Sequence, residues 1–106
     1  MSAVIYIKSK QEMGDVLPLV KSAIDAEIAR LELASEMATK RLLPFEKKYN
    51  VASEHFIANL AAEDLDGGDD EYVSWAGEYK LKKRLEKKLE QLREIEYGHS
   101  DLLQSN

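Results

Sequence analysis

The residues of this 106-residue chain best suited to chemistry gather in three places. The first is the acidic run Asp64-Leu65-Asp66-Gly67-Gly68-Asp69-Asp70-Glu71, since clustered oxygen ligands suit calcium or magnesium. Aligned to a calcium-binding loop starting at Asp64, Asp66 sits correctly at the third position. The fifth position is then Gly68, the sixth, where glycine belongs, is Asp69, and the twelfth is Trp75, which cannot ligate. The run therefore reads as a solvated turn with a capping aspartate, and no metal is expected. Gly67-Gly68 lacks a following Lys-Ser/Thr and a preceding strand, so it is no phosphate-cradling loop. Paired carboxylates for acid–base work would need a cleft and opposed pKa values, and the sequence displays neither. His55 and His99 are isolated, with no cysteine and no well-spaced acid beside them. No catalytic signature emerges, so neither enzymatic activity nor a cofactor is expected.

The second place is a cationic run. Residues 80–93 hold seven Lys/Arg against two Glu, a local charge of +5 within a chain of net −5, so the remainder carries −10. Lys80, Lys83, Arg84 and Lys87 share one helical face and could dock on nucleic-acid phosphates. The same run could equally be a solvated outer face reinforced by pairs such as Glu86–Lys82 and Glu90–Lys87. It could also pair with the acidic remainder, within one molecule or between copies. The third place is the aromatic set Tyr72, Trp75 and Tyr79. Such residues usually fill a core, but Trp and Tyr also dominate binding hot spots.

These groups must be positioned by helices. From Asp15 to Tyr49, Leu17, Ile24, Leu31, Ala38 and Phe45 fall seven apart, and Ile28, Ser35, Leu42 and Tyr49 interleave with them. That spacing is a coiled-coil or hairpin seam, with Lys21 as its gap. A helix of this span would be about 50 Å long at the α-helical rise, too long to cover its seam alone. Asp15 is the expected N-cap, with Pro18 tolerated in the first turn, and Pro44 should kink the helix near Leu42–Leu43. Asn50-Val51-Ala52 breaks the pattern. Ser53 can then cap a short helix from Glu54 to about Glu63, with an apolar face of Phe56, Ile57, Leu60 and Ala61. A last helix is expected from Tyr72 to Tyr97, capped by Asp69 or Asp70 and carrying Leu81, Leu85, Leu89, Leu92 and Ile95. Residues 98–106 read as a frayed tail after Gly98.

Ahead of these, residues 3–8 are β-branched and aromatic, the composition of a strand, but no second strand-like run follows. This segment is disordered, folded on the helices, or paired with its copy in another subunit, which would satisfy its backbone groups. The expected organisation is thus a strand and turn over 1–14, a helical hairpin domain over 15–97, and a tail over 98–106. The fold class is mainly α: a long antiparallel, coiled-coil-like hairpin with a short intervening helix and a short N-terminal strand.

Composition narrows the setting. With no cysteine there is no disulfide framework, which fits a reducing cytoplasm, and no apolar run approaches a membrane span. The start of the chain lacks the basic leading region and small-residue site of a secretory signal.

Several stretches taken together resemble a group of small prokaryotic helical proteins described as antitoxin-like because they are encoded beside a proposed toxin. The resemblance rests on Glu27-Ile28-Ala29-Arg30-Leu31-Glu32-Leu33, on Phe45-Glu46-Lys47-Lys48-Tyr49, on Gly68-Asp69-Asp70 and on Tyr72 to Tyr79 around Trp75-Ala76-Gly77, and covers most of residues 16–97. The chain departs at Asn50 and Ala52, where the group would have Gly and Ser. The resemblance implies a toxin-like protein partner and transfers no catalytic residue. The expected function is therefore a non-enzymatic, homodimeric partner-binding protein that neutralises or scaffolds another protein. Val4, Tyr6, Tyr72, Trp75 and Tyr79 would form the bound surface. The alternative is a nucleic-acid-binding regulator using Lys80, Lys83, Arg84 and Lys87.

Overall fold

The computed structural model of the chain describes residues 2–95 and 97. They form three α-helices: α1 over Met13–Tyr49, α2 over Ser53–Asn59 and α3 over Gly68–Arg93, with a 3-10 turn at Ala62–Asp64 between the last two. The molecule is elongated, with principal extents of 61 × 25 × 19 Å.

The seam of α1 is what gathers the rest. Leu31, Ala38 and Leu42 are buried, and Leu17, Ile24, Ile28, Ser35, Phe45 and Tyr49 are half-buried, while Lys21 is exposed. Every other seam position therefore faces inward. The covering comes from α3, whose Trp75, Ala76, Leu85 and Leu89 are buried. Three ion pairs order the two helices: Lys48–Glu71 at 2.9 Å, Arg41–Glu78 at 2.9 Å and Arg93–Glu32 at 2.5 Å. Partners descend along α1 as they ascend along α3, so the two run antiparallel. Two apolar clusters result. One joins Leu31 and Ala38 to Leu85 and Leu89; the other joins Leu42 to Phe56, Leu65, Trp75 and Ala76.

Several expectations shift. Among the described residues there is no strand: residues 2–9 carry no regular structure, and Val4, Ile5, Tyr6 and Ile7 are exposed. A strand needs a partner for its ladder, and none of the described residues offers an edge to residues 3–8. The first helix starts at Met13 after Glu12, which puts Asp15 inside the first turn, where its charge favours the helix N-terminus. The helix passes through Pro44 unbroken to Tyr49. It stops because Asn50 adopts the left-handed conformation (φ 52°), and the Val51 N–H returns to the Glu46 carbonyl at 3.2 Å. Asparagine tolerates this conformation better than most residues, so glycine is not required here.

The short helix ends at Asn59 rather than near Glu63. The last helix begins at Gly68, four residues earlier than expected, and ends at Arg93 rather than Tyr97. Asp69, Asp70 and Glu71 lie in its first turn, where acidic side chains complement the dipole, and Gly67 takes the capping place. The tail over 98–106, with His99, lies outside the described residues.

Candidate functional site

The densest polar constellation lies where the end of α1, the start of α2 and the start of α3 meet. Ser53, the first residue of α2, is 1% exposed. Its hydroxyl donates to Glu46 Oε2 at 2.7 Å, and its backbone N–H donates to the same oxygen at 3.0 Å. In turn the hydroxyl accepts the indole N–H of Trp75 at 2.8 Å. All three elements are thereby tied at one oxygen. A serine beside a carboxylate has the parts of a nucleophile and its base. Here the hydroxyl is buried at the nitrogen edge of the Trp75 ring and bonded to both neighbours, so it fastens the fold.

Around it the aromatics stack. Phe56 lies 3.8 Å from Trp75 with planes 4° apart, and Phe45 and Tyr49 sit at 5.5 and 5.6 Å with planes near parallel. Tyr72 meets Phe56 edge-on at 5.1 Å. Trp75 is 0% exposed. It belongs to the core, and its ring has no surface to offer a partner. Tyr72 and Tyr79 are half-buried at the margins of the same stack.

A second network pins the acidic loop. Glu71 accepts hydrogen bonds from the Tyr49 hydroxyl, from Lys48 Nζ at 2.9 Å and from the Gly67 N–H at 3.1 Å. The Asp66 N–H donates to the Tyr49 oxygen at 2.9 Å. The Tyr49 hydrogen bond first, then Lys48, hold the Glu71 carboxyl down to about 2. Glu71 in turn raises the Lys48 ammonium above its usual range. The chemistry of this loop is thus closure of the link between α2 and α3. Among the described residues, no three His, Cys, Asp or Glu are arranged to hold a metal.

An open groove of about 410 Å³ runs between the helices, lined by Arg41, Pro44, Phe45, Ser74 and Glu78. The Arg41–Glu78 pair spans it at 2.9 Å. With solvent on one side it cannot exclude water from a reacting group.

The binding candidates separate cleanly by position. Val4 is 75% and Tyr6 88% exposed, with Ile5 and Ile7 beside them. Lys80, Lys83, Arg84 and Lys87 are all exposed. Lys83 pairs with Glu86 at 3.4 Å and lies 5.8 Å from the Tyr79 ring centre. The outward face of α3 runs Val73, Gly77, Lys80, Arg84, Lys87 and Gln91, and no carboxylate interrupts it. The arm of residues 4–7 and the basic run are two separate exposed stretches, one ahead of α1 and the other on α3.

Sequence reasoning missed Glu46 as an anchor and Ser53 as its buried partner. The only available signal was a serine following an αL-compatible asparagine, which points to capping. No helix among the described residues is long and apolar enough to cross a membrane. Compared with known proteins, the chain matches no family model, no curated protein and no solved structure, so the geometry above carries the functional argument.

Proposed function

We propose that this chain is a non-enzymatic partner-binding protein of the cytoplasm, built as a coiled-coil-like helical hairpin that self-associates and neutralises or scaffolds another protein. The observation that carries this reading is the arm ahead of α1. Val4, Ile5, Tyr6 and Ile7 are 60–88% exposed, four apolar side chains in a row with no cover in a single copy. Such a segment invites a second chain, because its backbone groups and its side chains both lack partners. Tyr72 and Tyr79 lie at the surface margin of the core and could extend a contact, whereas Trp75 supports them from inside. The antitoxin-like resemblance would make the partner a toxin-like protein encoded alongside.

The test is co-purification with the product of the adjacent gene, using the parent chain and the double variant Val4→Asp/Tyr6→Asp. Capture by the parent, lost in the variant while its melting temperature holds, supports the reading. Equal capture by both removes the arm from it, and no capture by either ends the toxin-partner version.

A second reading has its own observation: the uninterrupted cationic face of Lys80, Arg84 and Lys87, with Lys83 beside it. A helix of this kind can lie along a phosphate backbone. Changing Lys80, Lys83, Arg84 and Lys87 to Glu should abolish DNA retention and flatten its salt dependence. A parent protein that fails to retain DNA at low salt eliminates this alternative.

A further inference from the structure

Turning about half a revolution around α1 from its covered seam reveals a second apolar stripe. Leu19, Ser22, Ala26, Ala29 and Leu33 recur at spacings of three and four on that outer face, and Met37 prolongs it as far as Lys40. Leu19 is 65%, Leu33 59% and Met37 48% exposed. Ser22, Ala26 and Ala29 are exposed as well. The outer face of a solvated helix is ordinarily polar or charged. Here the centre of the stripe, from Leu19 to Leu33, holds no charged side chain. An apolar patch of a few hundred Å² on a small protein marks an interaction site.

We propose that this outer face of α1 packs in parallel register against the same face of a second copy of the chain. The inference rests on the partner-binding reading above and names its first partner. Three features favour a second copy. The stripe is spaced as a helix–helix seam, so the same patch can serve both sides of a two-fold contact. Its edges carry opposite charge: Asp25 and Glu36 lie along one side and Arg30 along the other, while Glu32 and Arg41, farther round, are held by Arg93 and Glu78 of α3. In a parallel pair each acidic edge lies beside the other copy's basic edge, and Asp25 and Arg30 have the five-residue offset of flanking positions that meet across such a pair. In an antiparallel pair like edges would meet. Arg30 already pairs with Glu27, but both side chains are substantially exposed (64% and 43%), and such a surface pair exchanges at little cost.

Area supplies the third feature. The stripe alone is short of a stable interface. A parallel pair also sets the two arms of residues 4–7 at one end of the assembly, beside each other. Stripe and arm together approach roughly the 800 Å² per partner of a standard interface. The covered seam and α3 stay as they are, and the two basic faces point outward from opposite flanks.

The chain has no cysteine, which makes the orientation directly testable. Ser22→Cys and Leu33→Cys, introduced singly, should each form a disulfide-linked dimer under mild oxidation, because equivalent residues face each other in a parallel pair within disulfide reach. Light scattering should give twice the chain mass for the parent and the chain mass for Leu33→Glu, with helicity and Trp75 fluorescence unchanged. Ala29→Glu should repeat the loss without deleting a large side chain. A cross-link that appears only on mixing the two cysteine variants overturns the parallel arrangement. A parent that is monomeric at tens of micromolar overturns the inference altogether, yet leaves partner capture by the arm to be decided by co-purification.

Discussion

The indole N–H of Trp75 donates to the hydroxyl oxygen of Ser53 at 2.8 Å, joining the start of α3's buried face to the first residue of α2, 22 positions earlier. The hydroxyl's own proton goes to Glu46, so it both donates and accepts. Removing the hydroxyl strands the buried Trp75 N–H, while Glu46 keeps only the Ser53 backbone N–H. Ser53→Ala should therefore cost about 1–3 kcal/mol, more than an ordinary serine truncation. Trp75→Phe removes the same indole bond and leaves a packing defect beside it. Chemical denaturation of Ser53→Ala, Trp75→Phe and the double variant closes a cycle. A coupling term near zero would mean that the hydrogen bond does not tie the elements together.

Glu71 makes stability depend on acid in a defined window. Its carboxyl is held at about 2 by Tyr49 and then Lys48, below the ordinary value of 4.5. A depressed folded-state value means the unfolded chain binds the proton more readily, so the stabilisation is complete above about 4.5. It should fade as the pH falls from there towards 2. Glu71→Gln is predicted to be less stable than the parent at neutral pH, with the gap closing through this range. Thermal melts of both proteins between pH 7 and pH 2 give the answer. Curves that stay parallel would show that the carboxylate's charge is not what fastens the loop.

What was legible in the sequence was whatever depends on local periodicity. The seven-residue spacing placed Leu31, Ala38 and Leu42 inward, and these are buried. Leu85 and Leu89 follow the same rule on α3. The paired spacing of hydrophobic residues is a property of one helix, so neighbours along the chain suffice to read it. The Glu46–Ser53–Trp75 junction was not legible, because its members meet only after the chain has turned twice. The outer stripe of α1 was hidden for another reason. Ala26 and Ala29 are alanines, the best helix formers, and carry no pattern of their own, so nothing in the sequence links Leu19 to Leu33. Residues 3–8 misled by composition: β-branched and aromatic side chains suit a strand, but a ladder needs an edge, and there is none among the described residues.

The stop at Asn50 can be tested separately from the core. With φ 52° the backbone there is left-handed, a conformation that β-branched residues strongly resist. Asn50→Gly should be neutral or mildly stabilising, and Asn50→Val should lower the melting temperature clearly. Indistinguishable melts for the two variants would mean that the helix end is set by packing of Val51 and Tyr49 rather than by the residue at the stop.

The two faces of α1 should respond oppositely to the same substitution. Leu31 is 1% exposed and packs against Leu85 and Leu89, whereas Leu33, two positions on, is 59% exposed. Leu31→Ala deletes a buried side chain and leaves a cavity, a loss of roughly 2–5 kcal/mol at any protein concentration. Leu33 belongs to neither buried cluster, so the effect of Leu33→Ala on the unfolding of dilute protein should stay within about 0.5 kcal/mol. As concentration rises, the parent should gain stability by mass action if the outer face is covered by a second copy, and Leu33→Ala should gain less. A dilution series of melts for the parent and both variants thus separates intramolecular packing from association. Leu33→Ala destabilised as strongly as Leu31→Ala in dilute protein would show that both faces of α1 are covered within a single chain.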